Sequence, residues 1–371
     1  MATRKTANGK PSSPAPRAPR HAPRQLIDLA LQGGGSHGAF TWGVLDRLLE
    51  DETLEIAGVS GTSAGAMNAV ALAAGLMEGG REGARAGLRR FWERVAQTSP
   101  FTHLEASPFG PWVDAAVPFL QHFTSSWQQA ARFVGSQFSP YQLNPLNLNP
   151  LRDILAETVD FERVRACHHT QLFIAATHVA TGELRVFRQD ELTADMVLAS
   201  ACLPLLFQAV EIDGEAYWDG GYAGNPTLLP LIAETPADDL LLVQINPSRR
   251  DRVPTQADEI LDRAGEVTFN ASLLKELRTI GLIKELLDDA GRPDSCFRRP
   301  LFRRLDDLRL HQLDAGEQLA AFGAASKTQT NGSFLLQLHA IGREAAEHWL
   351  TTHRPQVGRR STYSLPPALT P

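Results

Sequence analysis

The chain has 371 residues, 43% hydrophobic and 21% charged, the composition of a globular protein with a large core in one or two domains and not of a fibrous or disordered one. Its net charge of −6 is unevenly spread: residues 1–24 hold six Lys and Arg and no acid, while the rest carries 30 basic against 42 acidic residues, so no nucleic-acid partner is expected. Cys167, Cys202 and Cys296 are widely spaced without a CxxC, which argues against a disulfide or zinc framework and for reduced thiols in a cytosolic protein.

Residues 1–24, rich in Pro, Ser and Ala and poor in large apolar side chains, are expected to be a disordered basic tail. The tail is either a solvated segment or an electrostatic contact to an anionic membrane surface. It lacks the apolar stretch of a secretory signal. "QLIDLALQ" (25–32) reads as a buried strand and "AFTWGVLDRLLED" (39–51) as a helix, from the spacing of Val44, Leu45, Leu48 and Leu49. "LEIAGVSG" (54–61) is a second strand, and the small-residue helix "SAGAMNAVALAAGLM" follows. Strand, glycine turn, helix, strand, turn, helix implies a parallel sheet covered by helices.

Residues 97–150 differ in character. Nine of the chain's Phe, Trp and Tyr residues fall between positions 101 and 141, which marks a cap inserted after the second helix. Its aromatics either form a local core or receive acyl chains and touch a lipid surface. "QLFIAATHVATGELRVF" (171–187) predicts two strands joined at "TGE", and "TADMVLASACL" a helix running into Pro204. The longest apolar run, "MVLASACLPLLFQAV" (196–210), is too short to span a membrane and is broken by that proline. "VEIDGEAYWDGG" (210–221) signals a hairpin with a type I′ turn at Asp213-Gly214. "DDLLLVQIN" (238–246) is a further strand, 256–289 and 333–350 are amphipathic helices in a C-terminal helical region (256–350), and 351–371, Pro-rich and basic, is expected to be a loose tail.

Two glycine-rich turns carry the chemistry. Gly61-Thr62-Ser63-Ala64-Gly65 is a G-x-S-x-G stretch lying between a strand and a helix. In that setting a serine sits on a sharp, strained turn with its hydroxyl exposed, and the helix N-terminus favours negative charge beside it. The other turn, Gly33-x-Gly35-x-x-Gly38, fits a dinucleotide fingerprint as well as an anion-binding loop. The nucleotide reading needs an acid at the end of the second strand, about 20 residues on. Asp51, Glu52 and Glu55 precede or start that strand instead.

For a base, His311, His339, His348 and His353 follow Asp219, but none sits on a glycine-flanked strand end. His168 and His169 precede it, and nothing suggests a metal site. Asp219 ends a strand and is followed by Gly220 and Gly221, so its carboxylate can approach another loop closely. Partial burial would raise its pKa and make it a more competent proton acceptor. The alternative role is a turn-capping aspartate.

"GGGSHG" (33–38), "GTSAG" (61–65) and "DGG" (219–221), in this order and spacing, resemble the glycine-rich loop, nucleophile elbow and Asp-Gly-Gly/Ala motif of the patatin-like phospholipases. "ASACLPLLF" (199–207) and "AATHVATGELRVF" are similar to two further blocks of that family, and the resemblance spans roughly 25–250. It implies a three-layer α/β/α fold with a mostly parallel central sheet, occupying 25–350. It also implies a Ser63–Asp219 dyad without histidine, an oxyanion hole from Gly33, Gly34, Gly35 and Ser36, and support from His37, Gly38, Gly61, Gly65, Gly220 and Gly221. The implied activity is hydrolysis of lipid esters through an acyl-serine, without cofactor or metal, with peripheral contact to the inner membrane face as a further expectation. One departure is His37, where the family's loop has Arg or Lys. It serves either as a cation when protonated or as an uncharged hydrogen-bonding strut. Two competing functions are a nucleotide-binding protein using Gly33–Gly38 and a non-catalytic lipid-binding protein of the same fold.

Overall fold

The computed structural model describes residues 24–98, 139–289, 299–314 and 316–366. The basic tail up to residue 23 and most of the aromatic-rich insertion lie outside the described residues.

Eight strands form one sheet: β1 (Gln25–Leu31), β2 (Leu54–Gly61), β3 (Gln171–His178), β4 (Leu184–Arg188), β5 (Val210–Ile212), β6 (Glu215–Asp219), β7 (Asp239–Val243) and β8 (Arg309–Leu313). Their order is β5-β6-β3-β2-β1-β7-β8, with β4 also paired to β3. The five strands from β3 to β8 along that path are parallel, and β4, β5 and β6 run antiparallel to their neighbours. Parallel pairing requires crossovers over both faces, so the central strands are apolar on both sides. Leu29 and Leu31 of β1 face one layer, packed with α1 (Gly38–Leu48), α2 (Ala64–Gln97) and α5 (Gly332–Thr352). Ala30 faces the other, with Leu273, Leu277 and Ile280 of α4 (Ala257–Asp289). The fold is therefore a mixed, mostly parallel sheet between two helical layers. The predicted hairpin turn at Asp213-Gly214 has positive φ at both residues, 53° and 83°, as a type I′ turn requires. The helix α3 (Ala194–Ser200) ends four residues before Pro204.

Two expectations need correction. The region 256–350 is not wholly helical, because Arg309–Leu313 adds an edge strand to β7. "RLHQL" has polar residues between its leucines, so no apolar run announces it. The segment 351–366 is not a loose tail. The N–H groups of Thr362 and Tyr363 both donate to the Leu310 carbonyl (3.0 and 3.1 Å), and the Ser361 hydroxyl accepts from Leu310 N–H. The chain end thus covers the free edge of β8, a protection that an exposed strand needs. It also completes a buried polar cluster: His311 contacts the Thr362 hydroxyl (2.9 Å) and the Asp239 carboxylate (3.0 Å), and Gly358 N–H donates to the same carboxylate. Truncation after residue 356 is expected to cost about 3 kcal/mol, since it strips partners from buried charge, and to lower the urea midpoint accordingly.

Candidate active site

The Ser63 turn is built by the register of β2 against β1. Leu31 pairs with Gly61 at the carboxyl ends of both strands, and the chain turns at once into α2. Ser63 has φ 54° and ψ −120°, a region that a side-chain-bearing residue occupies only under constraint. The constraints are visible. Gly65 N–H donates to the Thr62 carbonyl (2.8 Å), the Thr62 hydroxyl donates to the Gly224 carbonyl (2.7 Å), and Ser63 N–H donates to the Ser200 hydroxyl (2.9 Å). A side chain at Gly65 would lie 2.2 Å from the Leu31 carbonyl oxygen, so the turn closes only with glycine there.

The glycine loop follows β1 directly and lies against this turn. A Cβ at Gly33 would sit 2.8 Å from that of Ser63, and one at Gly38 would sit 2.5 Å from that of Ala64. The two peptides that flank the Gly33 Cα are both held: Gly33 N–H donates to Asn225 Oδ1 (2.7 Å) and the Gly33 carbonyl accepts from Asn246 Nδ2 (2.9 Å). Of the four N–H groups expected to form the oxyanion hole, that of Gly33 is therefore engaged by a side chain. No bond among the described residues takes the N–H groups of Gly34, Gly35 or Ser36. Gly35 adopts φ +57°, the left-handed region. Gln32, just before the loop, is fully buried; its Oε1 accepts from Ile245 and Asn246 N–H, and its Nε2 donates to Asn270.

His37 Nε2 meets the Ser326 hydroxyl at 2.7 Å, and its ring packs with Phe322 and Phe334 in one aromatic cluster. Burial first, and the nearby Lys327 second, lower its pKa to about 4, so it is neutral at pH 7 and gives the loop no charge.

Asp219 ends β6 and reaches the same place. Its backbone is fixed by the Cys202 carbonyl and the Thr177 hydroxyl. Its Oδ1 accepts from Gly221 N–H at 2.7 Å, and the Ser63 hydroxyl lies close enough to the carboxylate to favour its charged form. Gly220 lies over the Ala175 carbonyl and Gly221 against the Phe269 ring. Asp219 is 1% exposed. Loss of solvation raises its pKa to about 7 against the lowering bonds from Gly221 and Ser63.

The structure brings together Ser63, Asp219 and the loop 33–36, and it leaves His311 and His339 elsewhere. His311 is bound in the β7–β8 edge cluster and His339 packs on Trp42. Among the described residues no histidine hydrogen-bonds to Ser63 or Asp219, and no group of three His, Cys, Asp or Glu could hold a metal ion. The Cys202 thiol is buried, which pushes its pKa up to about 12, and it donates to the Gln208 carbonyl. The carboxyl end of β2, where a ribose-binding acid would stand, carries Thr62 and Ser63 instead. Among the described residues, no helix is long and apolar enough to cross a membrane.

Sequence reasoning missed Gln32, Asn225, Asn246, Asn270 and Lys327. One signal was present: Glu266 and Asn270 continue the buried stripe of Leu273, Leu277 and Ile280 on α4, and a polar residue in an apolar stripe needs a buried partner. Ser200 lies within the block "ASACLP" already set apart by its resemblance.

Helices on both faces of a mostly parallel sheet, with a strained serine and a buried carboxylate at its strand ends, define a three-layer α/β/α protein with a serine on a strand-to-helix turn. The patatin-like phospholipase family model matches residues 29–232, more than half of the chain. The chain belongs to the patatin-like phospholipase family, whose members as a class are lipid acyl hydrolases. It is similar to the solved structure of VipD from Legionella pneumophila, with 17% sequence identity and a TM-score of 0.40 over 90% of this chain and 68% of that one. No curated protein matches the chain at a significant level.

Proposed function

We propose that the chain hydrolyses carboxylic esters of lipids through an acyl-Ser63 intermediate, with Asp219 as the base. The observation that carries this is the placement of the Ser63 hydroxyl beside the buried Asp219 carboxylate, next to the N–H groups of Gly34, Gly35 and Ser36, which find no acceptor among the described residues. Ser63 Oγ attacks the ester carbonyl carbon as its proton passes to Asp219. The oxygen of the tetrahedral intermediate gathers negative charge opposite Gly34, Gly35 and Ser36, where preset donors are most effective. Collapse expels the alcohol, which takes the proton back from Asp219. Water, deprotonated by Asp219, then attacks the acyl-serine; the Ser63 Oγ–acyl bond breaks, Asp219 returns the proton to Oγ, and the acid leaves.

A lipid substrate is supported by the surroundings. Leu205 and Leu206, five and six residues beyond Ser200, are 79% and 52% exposed, and a hollow of about 280 Å³ lined by Pro204, Trp218 and Tyr222 among others flanks the Asp219 turn. Apolar surface left open beside a polar reaction centre suits an acyl chain. It equally suits peripheral contact with a membrane.

A fluorophosphonate is expected to label the folded protein at Ser63, and Ser63→Ala to abolish both the labelling and the release of fatty acid from a panel of phospholipids and neutral glycerides. Undiminished release by Ser63→Ala would remove the nucleophile from the reading.

A further inference from the structure

We propose that Lys327, delivered by the segment Ala324–Thr328, is the positioning residue of the oxyanion loop, in place of a charge within the loop itself. The inference rests on the ester-hydrolase reading and concerns a stretch well beyond the family-matched residues 29–232.

Four contacts from one short stretch converge on the loop. Lys327 Nζ donates to Asn246 Oδ1 at 2.6 Å. The Lys327 carbonyl lies so close to Gly35 that a Cβ there would be 2.4 Å from its oxygen. The Ser326 hydroxyl meets His37, and Phe322, just upstream, packs on the His37 ring. The first contact determines the others' effect on chemistry. An ammonium has donors only, so it must face the oxygen of the Asn246 amide. The amide nitrogen is thereby turned to the Gly33 carbonyl, 2.9 Å away. That carbonyl shares its peptide plane with Gly34 N–H, so Asn246 sets the direction of the first loop donor, while Asn225 holds the preceding peptide through Gly33 N–H, and together they fix the start of the loop. Without the lysine the Asn246 amide can flip and present oxygen to oxygen at Gly33.

The position is also electrically distinct. Lys327 is partly buried, and it feels Glu266 and Asp262 of α4 as attraction and Arg250 as repulsion. Glu266 is already paired with Arg250 and Arg263, and the bond Lys327 makes is to the Asn246 amide oxygen. His37 on the loop side is neutral, as described above. Lys327 is thus the one cation that hydrogen-bonds into the loop's support among the described residues.

The test uses the full chain, p-nitrophenyl butyrate as a soluble ester, and hydrogen exchange of the peptide covering residues 29–42. Lys327→Met is expected to lower kcat about 10- to 100-fold with KM within about twofold, because donors displaced by a fraction of an ångström fail the transition state and not the ground state. Exchange is expected to rise about tenfold in 29–42 and nowhere else, since the opening is local. Lys327→Arg restores both. Asn246→Asp keeps the lysine contact but loses the donor to Gly33, and is expected to match Lys327→Met. The double variant is expected to be no worse than either single one, as for residues acting through one bond. Unchanged exchange in 29–42, a rise spread evenly over the whole chain, or additive losses in the double variant would overturn the proposal. The exchange measurement decides independently of turnover, so a wild type without esterase activity would sink the hydrolase reading and not this one.

Discussion

Asp219→Asn is expected to fold as the wild type does and to lose between about 10² and 10⁴ in kcat, the range supplied by a positioned general base. The fold is kept because asparagine fits the same bonds: its oxygen accepts from Gly221 N–H and its amide meets the Ser63 hydroxyl. What it cannot do is take a proton. Stability should shift in the opposite sense to activity. The Asp219 pKa is raised from 3.8 to about 7 in the folded chain, chiefly by loss of solvation. Between those values the folded state holds a proton that the unfolded state has released, so stability falls as pH rises through that window and stays lower above it. Asparagine removes this penalty, and the variant is expected to have a urea midpoint at pH 8 no lower than the wild type. The wild-type rate has its own signature. A base must be ionised to accept, so kcat/KM is expected to fall about tenfold per pH unit below about 7 and to level off above it. Retained turnover in Asp219→Asn would dismiss the carboxylate as base, and a flat profile from pH 5 to 8 would do the same.

The Asp219 turn was readable in the sequence because each of its features is local. A strand must end, a carboxylate must follow, and glycines must let another loop come close; "YWDGG" shows all three within five residues. The same holds for "GTSAG" between β2 and α2, and for the alternation that gave a parallel sheet. The sequence reading found seven of the eight strands among the described residues. β8 escaped it because an edge strand with polar positions in "RLHQL" has neither an apolar run nor a neighbour in sequence to announce it. The packed end of the chain escaped for the matching reason, since its order comes from β8's free carbonyls and not from its own apolar content. The support of the glycine loop was hidden for a third reason. Asn225, Asn246, Asn270 and Lys327 lie 192 to 294 positions beyond Gly33. Amides and a lysine make bonds whose partners are set by three-dimensional neighbourhood alone. They carry no spacing rule, whereas a turn or an amphipathic helix does.

The second large effect is expected from Gly35→Ala. Two penalties fall on one methyl group. The backbone has φ +57°, which costs a residue with a side chain about 1–2 kcal/mol. The new Cβ would also lie 2.4 Å from the Lys327 carbonyl oxygen, a backbone atom that cannot swing aside. The strain is relieved only if the Gly34–Ser36 amides rotate or the Ala324–Thr328 segment lifts, and either motion misdirects the donors. Loss of one such donor costs about 10²–10³ in kcat, and a comparable fall is expected here for p-nitrophenyl butyrate, with Ser63 still open to a fluorophosphonate. Gly214→Ala separates the two penalties. Gly214 has φ +83° in an open hairpin turn, with nothing within 4 Å of the added carbon. It is expected to lose about as much stability to backbone strain alone while keeping full kcat. Equal turnover in the two variants would mean that the tight loop after β1 serves the packing of the sheet and never meets a developing anion.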